Sequence, residues 1–213
     1  MHWKFSRCLA VSSLFLAVAV HVVAAQAPQN VQRTIVKGRW SLSDPVRLIT
    51  VFYDGKPIKS RVPFPAPDDW LNHITVLVEN DSPKTLIAGF IQAAFPDLGV
   101  PVPIKTIDFG RFPDAQLYTS TGAKKQRRPG EVPISIPPGK SVIVNMSTDY
   151  QRLEGLLESR GPLSQVTLCV IDIGAFYFDD DTRWMDGSFT RADPSTPGTY
   201  SPITREDFNK SSK

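Results

Sequence analysis

Three consecutive carboxylates, Asp179, Asp180 and Asp181, lie between two aromatic runs in the stretch FYFDDDTRWMDG. A calcium site needs about 6 to 8 oxygen ligands, usually from carboxylates at alternate positions of a loop. Alternation supplies Asp179 and Asp181 here, but the next alternate residue is the cation Arg183. We therefore interpret the run as a polar turn between two strands and predict no metal site. A calcium site that also recruits Asp186 across a hairpin, or Asp193 from the tail, is the alternative.

The turn interpretation leads to a prediction about stability. Three adjacent negative charges repel one another, so Asp180→Asn should be neutral or slightly stabilising. Catalytic carboxylates of the glycosidase type would need two acids about 5 to 9.5 Å apart across a cleft. The sequence gives no specific support for such a pair. A carbohydrate-active domain that uses Asp or Glu is therefore kept only as the alternative.

The residues that nucleophilic or zinc chemistry needs are scarce. His73 is the only histidine after residue 27, so no second imidazole can share a metal or relay a proton. Cys169 lies in the apolar run VTLCVIDI, which predicts a small buried thiol with no neighbouring cation to lower its pKa. We predict no catalytic residue, no metal and no cofactor, and we expect His73 to flank a strand, half exposed.

Two further features could contact ligands. The basic run KKQRR at 124–128 lies between glycine and proline and could touch polyanions, but it has no interleaved aromatic residue. We predict a solvated loop and no nucleic-acid partner. Trp40, Trp70 and Trp184 could stack on sugars, but tryptophans at strand ends more often close a sandwich core, and we predict that role for them.

The beginning of the chain predicts export. Lys4 and Arg7 precede an apolar run that ends in small residues near Ala27, which is typical of a signal peptide over residues 1–27. The apolar run is shorter than the roughly 20 residues that span a bilayer, so we expect no stable membrane insertion. Without residues 1–27, 22 basic residues face 21 acidic ones, and the net charge is +1. We predict a secreted or periplasmic protein that a polyanion would not attract strongly.

Period-two alternation of apolar residues dominates the rest of the chain. Isoleucine and valine alternate with other residues at 74–79, and the run at 85–95 carries Ile87, Ile91 and Phe95 on one face. Turn residues at 80–84 separate the two runs, which predicts an antiparallel hairpin. Prolines at 96–103 and 129–138 are expected to break the chain between strands. The remaining predicted strands are 46–53, 58–62, 141–146, 166–178, 182–184 and a weak one near residue 200.

One short helix is predicted at about 149–159, connecting two strands. Thr148 and Gln151 have the spacing of a capping box, and Tyr150, Leu153, Leu156 and Leu157 follow at helical spacing as a core-facing stripe. The fold class is therefore all-β, an antiparallel Ig-like β-sandwich with one connecting helix. We divide the chain into a signal peptide (1–27), an N-terminal segment (28–45), the sandwich domain (46–190) and a polar C-terminal tail (191–213).

The strand at 74–79, the turn NDSPKT and the later IPPGKS that leads into a valine-rich strand resemble Ig-like domains of secreted bacterial proteins of uncharacterised function. They are similar to FxLYD- and CARDB-type modules over residues 70–146 at most. The resemblance implies a non-catalytic interaction or structural module. We predict a secreted binding or structural module that is not an enzyme and whose partner is an extracytoplasmic protein or glycan. The alternative is a carbohydrate-binding or Asp/Glu-dependent carbohydrate-active domain, assisted or not by calcium.

Overall fold

The protein is built mainly from β-strands. The computed structural model describes residues 30–38, 41, 43–117 and 132–210. These ranges contain the helices α1 (Tyr150–Leu157) and α2 (Arg205–Asn209) and the strands β1 (Val31–Lys37), β2 (Val46–Tyr53), β3 (Lys56–Ile58), β4 (Phe64–Ala66), β5 (Ile74–Asn80), β6 (Leu86–Phe95), β7 (Val100–Gly110), β8 (Ser141–Asn145), β9 (Leu168–Phe178), β10 (Thr182–Met185), β11 (Ser188–Ala192) and β12 (Tyr200–Ile203). No helix in the described ranges is long and apolar enough to cross a membrane.

The larger sheet is organised around β9. β6 pairs with β9 on one side, and β7 continues the sheet beyond β6. On the other side β9 pairs with β1 near its beginning and with β10 near its end. β4 follows β1, while β11 and then β12 follow β10. The β1–β9 pair is parallel, so the prediction of a fully antiparallel sandwich is wrong. The parallel pair was missed because β1 lies in the N-terminal segment, where we predicted no strand.

The smaller sheet contains β3, β2, β5 and β8 in that order, paired antiparallel. Alternate residues of β5 point into the core, where Ile74, Val76 and Val78 are fully buried. They belong to one apolar cluster with Ile171 and Phe176 of β9. Two sheets around one apolar core agree with the predicted all-β sandwich class.

The turn at 80–84 joins the two sheets, so the predicted hairpin between 74–79 and 85–95 is wrong. β5 lies in the smaller sheet and β6 in the larger one. The buried Asn80 amide donates hydrogen bonds to the carbonyl oxygens of Lys84 and Ile136, each at 2.7 Å, and fixes this crossing. The turn itself is confirmed. The predicted pairing of the two strands is wrong because apolar alternation is expected both for strands that face each other across a core and for strands that pair side by side.

The strand predicted at 58–62 lies earlier than expected, as β3. Its hairpin with β2 turns at Asp54 and Gly55, both of which have positive φ. The later residues form a turn instead, in which the N–H of Val62 donates to the Lys59 carbonyl at 3.2 Å and Arg61 is left-handed with φ 67°.

Of the prolines at 96–103, Pro96 lies between strands as predicted, whereas Pro101 and Pro103 lie within β7, a strand that we did not predict. A 3-10 helix at Pro96–Leu98 and the left-handed Gly99 turn β6 directly into β7. Pro101 and Pro103 are tolerated within β7 because it ends the larger sheet, where a missing N–H need not remove a ladder hydrogen bond.

The predicted helix is confirmed as α1, which follows a 3-10 helix at Met146–Asp149. Leu153 and Leu157 are buried, but Leu156 is 56% exposed, so the predicted stripe is wrong at this residue. Consecutive helical residues point about 100° apart, and the core contacts the side that carries Leu153 and Leu157. The side chain of Thr148, the predicted cap, is outside the described residues.

Residues on both sides of the 46–190 range also join the packed structure. Arg33 of β1 is only 1% exposed, and its guanidinium donates to the Val166 carbonyl and to the Asp68 carboxylate. At the other end, Phe208 of α2 is buried with its ring centroid 5.0 Å from that of Phe178. The packed structure therefore extends to α2 within the segment that we predicted to be a polar tail.

Candidate functional site

The acidic run forms the turn between β9 and β10, as predicted. Asp181 adopts a left-handed conformation with φ 62°, which aspartate tolerates better than most residues and which is typical of three-residue hairpin loops. Asp179 and Asp181 are exposed. Across the residues that the structure describes, no three His, Cys, Asp or Glu side chains converge as metal ligands.

Asp180 differs from its two neighbours because it points inward. Its carboxylate forms an ion pair with Lys84, and the two side chains are 8% and 3% exposed. The Thr182 hydroxyl donates to the same carboxylate at 2.5 Å, and the Lys84 ammonium lies 5.0 Å from the centre of the Phe208 ring. Asp180 is therefore paired with a buried cation, and the predicted repulsion among three equivalent charges does not describe this turn.

His73 ends a 3-10 helix just before β5, with its side chain 40% exposed, which confirms the predicted position and exposure. Its ring nitrogens lie 2.7 Å from an Asp54 oxygen and 3.3 Å from an Asp69 oxygen. Partial burial disfavours the charged ring, but the combined hydrogen bonds and charges of Asp69 and Asp54 outweigh it and raise the pKa of His73. The geometry is that of a bridged surface histidine.

The predicted thiol and tryptophan roles are confirmed where the structure describes them. Cys169 is a free, fully buried cysteine, and burial raises the pKa of its thiol well above the ordinary value. Trp70 is fully buried and Trp184 is 3% exposed, with the Trp184 ring stacked on Phe176. Neither ring is available for stacking on a sugar. Trp40, the basic run at 124–128 and the predicted signal peptide lie outside the described residues.

β8 is an edge strand among the residues that the structure describes. It is the last strand of the smaller sheet, paired on one side with β5. Val144 is buried in the core, while Ser141, Ile143 and Asn145 are exposed on the outer face. Ile143 is 64% exposed and is the one large apolar side chain on this outer face of β8.

The register of β8 shows which main-chain groups face outward. The N–H of Asn80 donates to the carbonyl of Lys140 at 2.9 Å, and this pair continues the β5–β8 register. Hydrogen-bonded pairs alternate along an antiparallel ladder, so Val142 and Val144 direct their N–H and C=O groups to β5. Ser141 and Ile143 consequently point theirs away from the sheet, where an added strand would meet them, and Asn145 caps the 3-10 helix that follows β8.

The other strands that end the described sheets carry a proline. Pro57 lies in β3, Pro65 in β4, Pro101 and Pro103 in β7, and Pro202 in β12. Proline removes a donor and opposes the addition of another strand. The segment of β2 that β3 leaves uncovered is met by the Lys37 ammonium, which donates to the Ile49 carbonyl at 2.9 Å. Of these sheet ends in the described ranges, β8 is the one without proline or charge.

Sequence reasoning predicted β8 as a strand at 141–146 but did not predict that it is an edge. The available signal was the distribution of prolines among the strands, which becomes informative only when the order of strands in each sheet is known.

No protein-family model, curated protein or solved structure matches this chain.

Proposed function

We propose that the mature chain is a secreted or periplasmic interaction module, without enzymatic activity, that associates with other polypeptides by main-chain pairing along β8. One observation carries this proposal: β8 combines outward-facing main-chain groups with a 64% exposed Ile143, and it lacks the proline found in the other terminal strands of the described sheets. Addition of an extended segment to such an edge is a recurrent mode of polypeptide recognition.

The chemistry of the edge favours an uncharged, extended partner. No residue of SVIVN is charged, so main-chain hydrogen bonds would supply the attraction and Ile143 would select an apolar residue opposite it. Leu77, the register neighbour of Ile143 on β5, is half-buried and extends the apolar surface along the outer face. The Ig-like topology and the kinship with FxLYD- and CARDB-type modules are part of this proposal, since such modules are built for association.

The test compares capture by matched variants. The mature protein, Ile143→Lys and Val62→Lys are immobilised separately and exposed to the extracytoplasmic fraction of the source cells. Val62 is 49% exposed and lies outside every strand, so Val62→Lys makes the same chemical change away from the edge. We expect a protein retained by the wild type and by Val62→Lys but lost from Ile143→Lys.

Equal retention by all three proteins would reject the β8 edge as the binding surface. Binding that a soluble glycan displaces, with no effect of Ile143→Lys, would instead support the carbohydrate-binding alternative.

A further inference from the structure

The β8 edge is complementary to itself. If two copies of the strand lie antiparallel about a two-fold axis at Ile143, then Ile143 faces Ile143, and Ser141 faces Asn145 of the second copy. Ser141 and Ile143 direct their main-chain groups away from β5, so each can hydrogen-bond to the other copy, whereas the Asn145 carbonyl begins the 3-10 helix at Met146 and the pairing ends there. The strand has the register that a symmetric pair requires.

The side chains agree with this arrangement. The two Ile143 side chains would meet on the outer face and join the two Leu77 side chains into one apolar stripe, while serine opposite asparagine is an uncharged polar pair. Lys140, the charged residue just before the strand, lies outside the paired residues and does not face Lys140 of the second copy. Charged side chains commonly prevent two edge strands from pairing, and no like charges meet across the axis within this strand.

The opposite end of the same sheet explains why such pairing stops at two copies. β3 is only three residues long and contains Pro57, so a further strand cannot extend the sheet from that side. A symmetric contact through β8 therefore closes on itself, whereas a head-to-tail contact through two different edges would build a fibre.

We propose that β8 mediates homodimerisation, in which the smaller sheets of two copies join into one continuous sheet. The inference rests on the proposed function, because it names a second copy of this chain as the occupant of the same edge. A five-residue edge contributes much less than the roughly 1,200 Å² that a stable interface buries, so the dimer is reversible and depends on concentration.

The experiment is sedimentation velocity of the mature protein from about 1 μM to about 1 mM. We expect a shift from monomer to dimer in the wild type and in Val62→Lys. Ile143→Lys and Ile143→Glu, each measured alone, should lose dimerisation by about tenfold or more, because like charges then face each other across the axis. An equimolar mixture of the two variants should recover a dimer, since lysine and glutamate become direct neighbours only in this register.

A wild type that stays monomeric at the highest concentration, a dimer insensitive to both Ile143 substitutions, or a mixture that fails to restore a dimer lost in each variant would overturn homodimerisation. The capture experiment separates this failure from failure of the proposed function. Capture of a different protein that Ile143→Lys abolishes would keep the edge as a binding surface even if the chain does not pair with itself.

Discussion

Replacing Asp180 with asparagine should destabilise the fold substantially, whereas the same change at Asp179 or Asp181 should be tolerated. The substitution removes the negative partner of Lys84, whose side chain is 3% exposed, and leaves that ammonium without a compensating charge. Removing one member of a buried ion pair costs about 3 to 5 kcal/mol. Asparagine keeps an oxygen that can accept from Thr182, so we place the cost near the lower value, about 3 kcal/mol.

The assay is thermal and urea denaturation of the mature protein. For a domain of this size a loss of about 1 kcal/mol lowers Tm by about 2 to 4 °C, so Asp180→Asn should lower it by about 6 to 12 °C. Asp179→Asn and Asp181→Asn are the matched controls. Both side chains are exposed, and asparagine tolerates the left-handed conformation at Asp181, so each should change stability by no more than about 0.5 kcal/mol.

A double-mutant cycle isolates the pair. In a Lys84→Met background no buried ammonium remains, so Asp180→Asn should cost about 2 kcal/mol less than it does in the wild type. Equal and small effects of all three aspartate substitutions would refute the buried pair and restore the repulsive turn that the sequence suggested. A large effect of Asp180→Asn that persists in Lys84→Met would show that the carboxylate acts through other contacts.

Three further outcomes follow from buried or bridged side chains. Cys169 should react with a thiol reagent only when the protein is unfolded, because its thiol is fully buried and has a raised pKa; rapid labelling of the native protein would contradict its position. Trp184→Ala should cost about 3 to 5 kcal/mol in urea denaturation because the ring is 3% exposed and stacks on Phe176, and a loss below about 1 kcal/mol would place it outside the core. His73 has a raised pKa in the folded protein, so its contribution to stability is fully present below its unfolded pKa of about 6.5 and is lost as the pH rises through the folded value. Stability relative to His73→Gln should therefore fall as the pH rises above about 6.5, and a rise would reverse the assigned sign.

The sequence predicted local structure well where one face of a strand meets the core. The alternation around Val76, the position of α1 and the turn at Asp181 were all recognisable from residue type. The sequence did not show which sheet each strand joins, because the turn at Asn80 is compatible both with a hairpin and with a crossing between sheets. The long-range hydrogen bond from Asn80 to Ile136 decides between them, and sequence periodicity does not contain that contact.

The candidate site was beyond sequence reasoning for a related reason. The strand SVIVN has the same apolar pattern as a central strand, and only its place at the end of a sheet turns Ile143 into an exposed residue. Likewise, Asp180 is one of three identical residues in sequence, and its inward direction depends on Lys84, which lies on a distant turn. The position of β8 at a sheet edge and the pairing of Asp180 with Lys84 both depend on the topology of the fold, which short-range sequence patterns do not specify.

Amide hydrogen exchange at Ile143, measured residue by residue as the protein concentration is raised, tests the open edge most directly. In dilute solution we expect the N–H of Ile143 to exchange much faster than those of Val142 and Val144, which bond to β5. Protection of Ile143 should then increase with concentration, or on addition of a captured partner, while Val142 and Val144 change little. Strong protection of Ile143 in dilute solution, or exchange that stays fast under every condition, would contradict the claim that β8 is an open edge on which another strand docks.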